Sequence, residues 1–322
     1  MNKKITILIL ESKIYSASAI DLYKSIGEVF LYENLKKQEK GKIKKKAEVL
    51  IVMLGHKLDK KLIDTMPNLK IIATQTTGLN HIDVNYLKYK RIKLISLRGQ
   101  TSFMKNIPST AEEAFGLMLA LSRNLPWAFE DVKEGNWNRG KWFGYQMLGK
   151  TLGILGFGRL GTIMAKYGNA FGMKVIACDP NVPKKIMASK KVEKVTIGKL
   201  FERSDILSVH VLLTDKTHNL IKEENIKKMK KDAYIINTAR AEIFEKGLLY
   251  KALKNQWIKG AAIDIMLDEK KDGSHLKTDP LWHYAKKNKN LIIVPHIGGA
   301  TREAMSITQE FLASLVKKSF RK

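Results

Sequence analysis

Cysteine is nearly absent from this 322-residue chain. With Cys178 alone, no intrachain disulfide and no cysteine-cluster metal site can form. Long apolar runs are missing too, and none approaches the ~18 residues that cross a bilayer. The stretch Ile5–Leu10 follows Lys3 and Lys4 but stops at Glu11. It is too short for a signal peptide and suits a first β-strand. No fixed-period repeat, low-complexity linker, zinc-ligand spacing or RNA-binding aromatic signature occurs. Acidic residues are scarce, 31 against 58 Lys and Arg, which leaves a net charge of +27 and a pI near 9.9. Such a balance can mark a nucleic-acid or anionic-membrane partner. Here the lysines are scattered, with short clusters only at Lys44–Lys46, Lys227–Lys231 and Lys286–Lys289. We read the charge as lysines on solvated faces, with attraction of a small anionic substrate as a lesser use. A soluble, cytoplasmic protein with no metal, nucleic-acid or membrane partner is expected.

What is present suits a globular chain. Hydrophobic residues make up 44%, enough for a sizeable core, and the length corresponds to two domains of ~150 residues. In the first part, Ile5–Leu10, Val49–Leu54, Lys70–Thr74 and Lys93–Ser96 read as strands, with helical spacing between them, as in Asp59–Met66. Ser109–Arg123 reads as a strong helix. Ser109 or Thr110 is its expected cap, Glu112 and Glu113 lie in its first turn, and Pro126 closes it. A second series follows, with strands at Thr151–Leu155, Lys174–Cys178, Ile206–His210, Ala233–Asn237, Gly260–Asp264 and Leu291–Val294. The segment Leu160–Phe171 reads as a helix behind the first of them. Strands alternating with helices predict parallel, doubly wound α/β domains. A last helix is expected over Glu303–Lys318. The expected division is residues 1–103 with 297–322 as one domain, and residues 104–296 as the other.

Three places can carry chemistry. Gly156-Phe157-Gly158-Arg159-Leu160-Gly161 follows an apolar strand and opens a helix, and Asp179 ends the next strand. Gly156 permits the tight turn, Gly158 the approach of a pyrophosphate, and Gly161 close helix–strand packing. The helix N-terminus attracts the anion, and Asp179 can accept from both ribose hydroxyls. Arg240 follows the strand ending at Asn237, where a guanidinium can clamp a carboxylate. A surface salt bridge is the competing role. His296 follows the last strand, with Gly298 and Gly299 beyond it, and suits a general acid–base. Asp264 and Glu269 also follow a strand, and a carboxylate beside His296 would favour its charged form. His210, His275 and His283 compete for the role.

These residues carry a resemblance along nearly the whole chain. The stretches are Thr76–Asp83, Ser109–Glu113, Gly153–Gly161, His210–Thr214, Ile236–Arg240, Ala262–Glu269 and Val294–His296. Taken in order, they resemble the D-isomer-specific 2-hydroxyacid dehydrogenases, phosphoglycerate dehydrogenase-like in type. The resemblance implies two Rossmann-like doubly wound domains with parallel sheets and an active site in the cleft between them. It implies a homodimer built on the Ser109–Arg123 helix and the arm after it, and NAD as cofactor. By resemblance Arg240, Glu269 and His296 are catalytic. Cofactor contacts fall on Gly156, Gly158, Arg159, Leu160 and Gly161, on Asp179 at the ribose, on Thr214, on Thr238 and Ala239 beside Arg240, and on Asp264 at the nicotinamide. Backbone N–H groups of Thr77 and Gly78 would meet the substrate carboxylate, together with Arg240.

The chain departs from the family pattern in several places. Ala241 follows the arginine in place of glycine, and Lys270 follows the glutamate in place of proline, which leaves room for Asp268 as the histidine's partner. Glu113 stands where histidine is common and Leu212 where proline is. The expected function is NAD-dependent interconversion of a small D-2-hydroxyacid and its 2-oxoacid. Two basic loops, Gly55-His56-Lys57 and Leu97-Arg98-Gly99, point to a second anionic group on the substrate, of the 3-phosphoglycerate type, with Arg98 as its contact. Glyoxylate or hydroxypyruvate reduction is the alternative. A formate or phosphite dehydrogenase fits less well because Glu269 occupies the histidine's partner position. A non-catalytic NAD-sensing or nucleic-acid-associated protein on the same fold has only the charge in its favour.

Overall fold

Short β-branched runs form the strands. In a computed structural model that describes residues 4–270 and 272–320, the first five are β1 (Ile5–Ile9), β2 (Gly27–Leu31), β3 (Val49–Val52), β4 (Ile71–Thr74) and β5 (Lys93–Ser96). All pair in parallel, in the order β2-β1-β3-β4-β5. Both faces of the inner strands are covered, so β3 and β4 are buried at every residue. Alternate residues feed opposite layers. Leu8, Leu50 and Ile72 pack with Leu58, Ile63 and Leu87. Ile7, Ile9, Val49 and Ile51 pack with Leu312, Ala313 and Val316 of the helix Arg302–Ser319. Buried Gln309 joins that helix to the first loop, accepting from Ser16 N–H at 2.7 Å and donating to the Ile14 carbonyl at 2.8 Å. β2, unpredicted from sequence, is a half-exposed edge strand without a clean alternation.

The second set is β6 (Thr151–Leu155), β7 (Lys174–Cys178), β8 (Glu193–Lys194), β9 (Ile206–Val209), β10 (Tyr234–Asn237), β11 (Gly260–Ile263) and β12 (Leu291–Ile293). It forms a parallel sheet in the order β12-β11-β10-β9-β6-β7-β8. The seventh strand, β8, is a two-residue edge beyond the six expected. The order reverses between β6 and β9, and doubly wound sheets bind ligands at the carboxyl ends beside such a reversal.

The chain divides into two compact units, Met1–Ile107 with Ala300–Lys322, and Pro108–Gly299. The sequence-based turning points, near 104 and 297, lie a few residues earlier. No helix among the described residues is long and apolar enough to cross a membrane.

The helix Ser109–Ser122 lays Ala114, Phe115, Leu117, Met118 and Leu121 against Leu152, Ile154 and Ala262 of the second sheet. Its start corrects the expected cap. Pro108 already has helical angles, and its carbonyl accepts from the N–H groups of Ala111 and Glu112. Neither Ser109 nor Thr110 caps the helix, and Ser109 is buried. Its end is corrected as well. Asn124 turns left-handed at φ 55°, and Pro126 sits in the first turn of the next helix, Leu125–Lys133, where its missing N–H costs nothing. The arm that follows is tied by buried Asp131, which accepts from Trp142 Nε1 at 2.9 Å and pairs with Lys141 at 2.6 Å. It leaves Leu125, Phe129, Val132, Phe143 and Leu148 exposed, and Trp137 90% exposed.

Candidate active site

The glycine loop after β6 has the three properties expected of it. Gly156 adopts φ +92°, and a Cβ there would stand 2.8 Å from the His210 carbonyl. A Cβ on Gly161 would strike the Gly156 carbonyl oxygen and stand 3.2 Å from Ile154 Cγ2. Gly158 instead faces open space and begins the helix Arg159–Ala170 with no side-chain cap. The first turn of a helix beside such an opening suits an anion. Arg159 opens the helix, half-buried, and burial lowers the pKa of its guanidinium. Leu160 follows it, half-buried. Asp179 spans the loop and the turn after β7. Its Oδ2 accepts from Phe157 N–H and its Oδ1 from Asn181 N–H, each at 2.9 Å. Thr214 is folded into a local turn, donating from its N–H to Thr217 Oγ1 at 2.8 Å. Thr238 Oγ1, after β10, is buried without a hydrogen-bond partner among the described residues. The open space at Gly158 and the orphaned Thr238 hydroxyl both fit a bound dinucleotide.

Asn237, which sequence reasoning passed over, shapes the next turn. Its Oδ1 accepts from Ala239 N–H and its Nδ2 donates to the Arg240 carbonyl, both at 3.0 Å. Arg240 is extended and half-buried, and its guanidinium donates to the Ala239 carbonyl. Burial lowers its pKa, against the charges of Glu242, Glu269 and Asp264, which raise it. Ala241 has no left-handed angle, so the alanine sits there without strain.

His296 lies in a turn after β12 at φ +56°, an uncommon value for a side-chain-bearing residue. Its Nδ1 meets Glu269 Oε2 at 2.6 Å. Glu269 Oε1 accepts from Met266 N–H at 2.7 Å, which folds the loop back and aims the carboxylate. Burial would raise the Glu269 pKa. The His296 hydrogen bond and charge, the Met266 amide and Arg240 outweigh it, so the net shift is downward. Asp268 instead lines a cavity of 570 Å³ with Lys246, Tyr250 and His275. Asp264, 2% exposed, accepts from the N–H groups of Ile297 at 2.6 Å and Gly298 at 2.9 Å. Glu113 closes on the same point. A Cβ on Gly298 would strike Glu113 Oε2 and stand 3.0 Å from Asp264 Oδ2.

The competing histidines are otherwise engaged. His210 binds Ser208 Oγ through Nε2 at 2.8 Å, and burial pushes its pKa down to about 4, so the ring is neutral. His275 Nδ1 accepts from Lys270 N–H at 3.1 Å. His283 Nε2 faces the Lys277 carbonyl at 2.9 Å.

In the first unit, Thr76 Oγ1 donates to the Gly78 carbonyl at 2.7 Å and shapes the turn that carries Thr77 and Gly78. Arg98 and Lys57 are exposed. His56 is not free for a substrate anion. Buried Glu11 accepts from Met53 N–H at 2.9 Å and Gly55 N–H at 2.8 Å and lies 3.4 Å from His56 Nδ1. Nothing in the sequence pattern placed Glu11 under that loop, 42 residues away.

Comparison with known proteins agrees with this geometry. Residues 115–298 match the family profile described as D-isomer specific 2-hydroxyacid dehydrogenase, NAD binding domain. The chain is 37% identical over 305 residues to a D-3-phosphoglycerate dehydrogenase of Methanocaldococcus jannaschii, covering 94% of this chain and 55% of that one. It is 39% identical over 272 residues to a hydroxypyruvate reductase of Thermotoga maritima, covering 84% of each. A D-lactate dehydrogenase from Aquifex aeolicus, solved with NAD and lactic acid, superposes with a TM-score of 0.80 at 28% identity, covering 98% of this chain and 95% of that one. The chain spans about half the length of the phosphoglycerate dehydrogenase it matches. With its glycine loop, its paired histidine and its two parallel sheets, the chain belongs to the D-isomer-specific 2-hydroxyacid dehydrogenases, a family of NAD-dependent oxidoreductases.

Proposed function

We propose that this protein interconverts a small D-2-hydroxyacid and its 2-oxoacid, with His296, Glu269 and Arg240 as its catalytic residues. The observation that carries the reading is the 2.6 Å contact of His296 Nδ1 with Glu269, close enough to Arg240 for the charges to interact. Gly156, Gly158, Arg159, Leu160, Gly161, Asp179, Thr214, Thr238, Ala239 and Asp264 would hold NAD, which when bound would supply or accept the hydride at the 2-carbon. With Nδ1 committed to Glu269, Nε2 is the nitrogen that exchanges the proton. In reduction His296 gives that proton to the carbonyl oxygen, and ionised Glu269 stabilises the charged ring beforehand. In oxidation the neutral ring takes the proton from the hydroxyl. Arg240 holds the substrate carboxylate and polarises the carbonyl, with the N–H groups of Thr77 and Gly78 as further donors.

The lead substrate carries a second anionic group, of the 3-phosphoglycerate type, with Arg98 as its partner. The exposed side chains of Arg98 and Lys57 support this. Glyoxylate or hydroxypyruvate reduction is the second reading. It is favoured by the engagement of His56 with Glu11, which turns that side chain away from a substrate anion. The test is kcat/KM for 3-phosphoglycerate, D-glycerate and D-lactate, repeated on Arg98→Ala. Preference for the phosphorylated substrate should shrink in the variant. A preference for D-lactate, or discrimination unchanged by Arg98→Ala, overturns the substrate assignment.

The exposed apolar side chains of the arm support a homodimer formed through it. Light scattering tests this, and a particle of 36.6 kDa rather than twice that mass refutes it.

A further inference from the structure

Two carboxyl groups converge beneath the histidine turn. Asp264 follows β11, and Glu113 reaches it from the first turns of the helix Ser109–Ser122. Both Glu113 oxygens are buried, and neither has a donor among its described neighbours. Two carboxylates at one buried point cannot both stay ionised, so the pair holds a proton. The partners decide where it resides. Burial raises the Asp264 pKa, but Asp264 already accepts two backbone N–H bonds and feels the charge of His296, and these oppose the rise and favour its ionised form. Glu113 has no such donor. A proton on Glu113 gives its buried oxygen a use as donor and gives Asp264 a third hydrogen bond.

We propose that Glu113 is a positioning residue, whose protonated carboxyl donates to Asp264 and so fixes the Ile297–Gly298 backbone that holds His296 in place. The role rests on the acid–base assignment of His296. The mechanical link is short, because Ile297 and Gly298 follow His296 directly and His296 stands at φ +56°, which a free chain seldom adopts. Two bonds to a well-held carboxylate keep that turn closed.

The surroundings of Glu113 leave few other actors. The helix Ser109–Ser122 packs on β10, β11, β12 and the helices Arg159–Ala170 and Leu125–Lys133. The ends of the strands present Arg240, Asp264 and His296. Tyr167 of the neighbouring helix turns to Glu112 instead. Burial, and then the Asp264 charge, push the Glu113 pKa up to about 8. Below that pH the pair is singly charged and the turn is held. Above it two carboxylates repel, and the grip on Ile297 and Gly298 weakens.

The test has two readouts. In the cofactor-free protein, the amide resonances of Ile297 and Gly298 should titrate with a midpoint near 8. Glu113→Gln keeps a donor at every pH and should abolish that titration. Asp264→Asn removes the like charge and should move any remaining titration toward the ordinary carboxylate range. Under turnover, oxidation of the hydroxyacid should decline on the alkaline side with the same midpoint. His296 as a base does not produce that limb, and Glu113→Gln should lose it. Glu113→Ala, with no donor, should lower kcat by about tenfold or more, with a smaller change in KM. Amide resonances that do not titrate, or that titrate unchanged in Glu113→Gln, overturn the proposal. Amide titration without any turnover of hydroxyacids would instead leave the carboxyl pair standing and defeat the functional reading.

Discussion

Glu269→Gln separates the charge of the His296 partner from its shape. The glutamine keeps an amide oxygen that can accept from Nδ1–H, so the ring stays oriented while the counter-charge is lost. The two side chains meet at 2.6 Å and are 26% and 32% exposed. At an effective dielectric constant of ~20, unit charges 4 Å apart interact by about 4 kcal/mol, and in bulk water by about 1. Partial exposure places this pair between those limits, so losing the charge should disfavour the protonated ring. The acid limb of hydroxyacid oxidation and the alkaline limb of oxoacid reduction should both move to lower pH. Away from those limbs, turnover should stay within about tenfold of the parent. The assay is kcat/KM against pH in both directions. Limbs that stay fixed, or that move in opposite senses, refute the pairing as the source of the effect, and so does the same shift in Asp268→Asn. The pair also bears on stability. The Glu269 pKa is depressed in the fold, so its contribution is complete above the unfolded value near ~4.3 and fades as the pH falls through the folded one.

Other substitutions probe the remaining parts. His296→Ala should cut turnover by on the order of 10²–10⁴ while NAD binding, followed by fluorescence, changes little, and near-parental turnover removes the acid–base assignment. Asp179 faces the extra phosphate of NADP in the proposed binding mode, so kcat/KM should favour NAD by at least about tenfold, and equal values mean that the carboxylate points elsewhere. Gly161→Ala drives a methyl into the Gly156 carbonyl and should cost about 1–3 kcal/mol. That corresponds to a Tm loss of about 2–4 °C per kcal/mol, and an unchanged melting curve contradicts the packing role.

Much of this architecture is legible because the inner strands are short apolar runs bounded by loops, the pattern a sheet covered on both faces requires. The edges are not. β2 and β8 bury little, so nothing in Gly27–Leu31 or Glu193–Lys194 sets them apart from surface chain. Pro108 misled in its own way, because a proline at the start of a helix supplies a helical turn without a hydroxyl cap. The histidine and its glutamate are legible through motif order and strand ends. Glu113 with Asp264, and Glu11 with His56, are not. Each pair joins residues far apart in sequence, and only the folded chain brings them together. The unexpected histidine-to-glutamate exchange at Glu113 was visible, but its meaning depends on what lies opposite it.

The helix Arg302–Ser319 has a consequence for the order in which the protein can be made. It completes a core begun by Ile7 and Ile9, and Gln309 bonds to a loop 293 residues earlier. On the ribosome, Pro108–Gly299 is synthesised before Leu312, Ala313 and Val316. Most of that unit therefore leaves the ribosome while the first sheet still lacks part of its cover. Until the helix arrives, the face of β1 and β3 that it packs on is covered only in part, by Tyr15, Ala19 and Tyr23, and its remaining apolar surface is open to chaperones and to other nascent chains. Loss of the helix would thus be felt in the unit built from the earliest residues, as a failure to close rather than as a missing appendage.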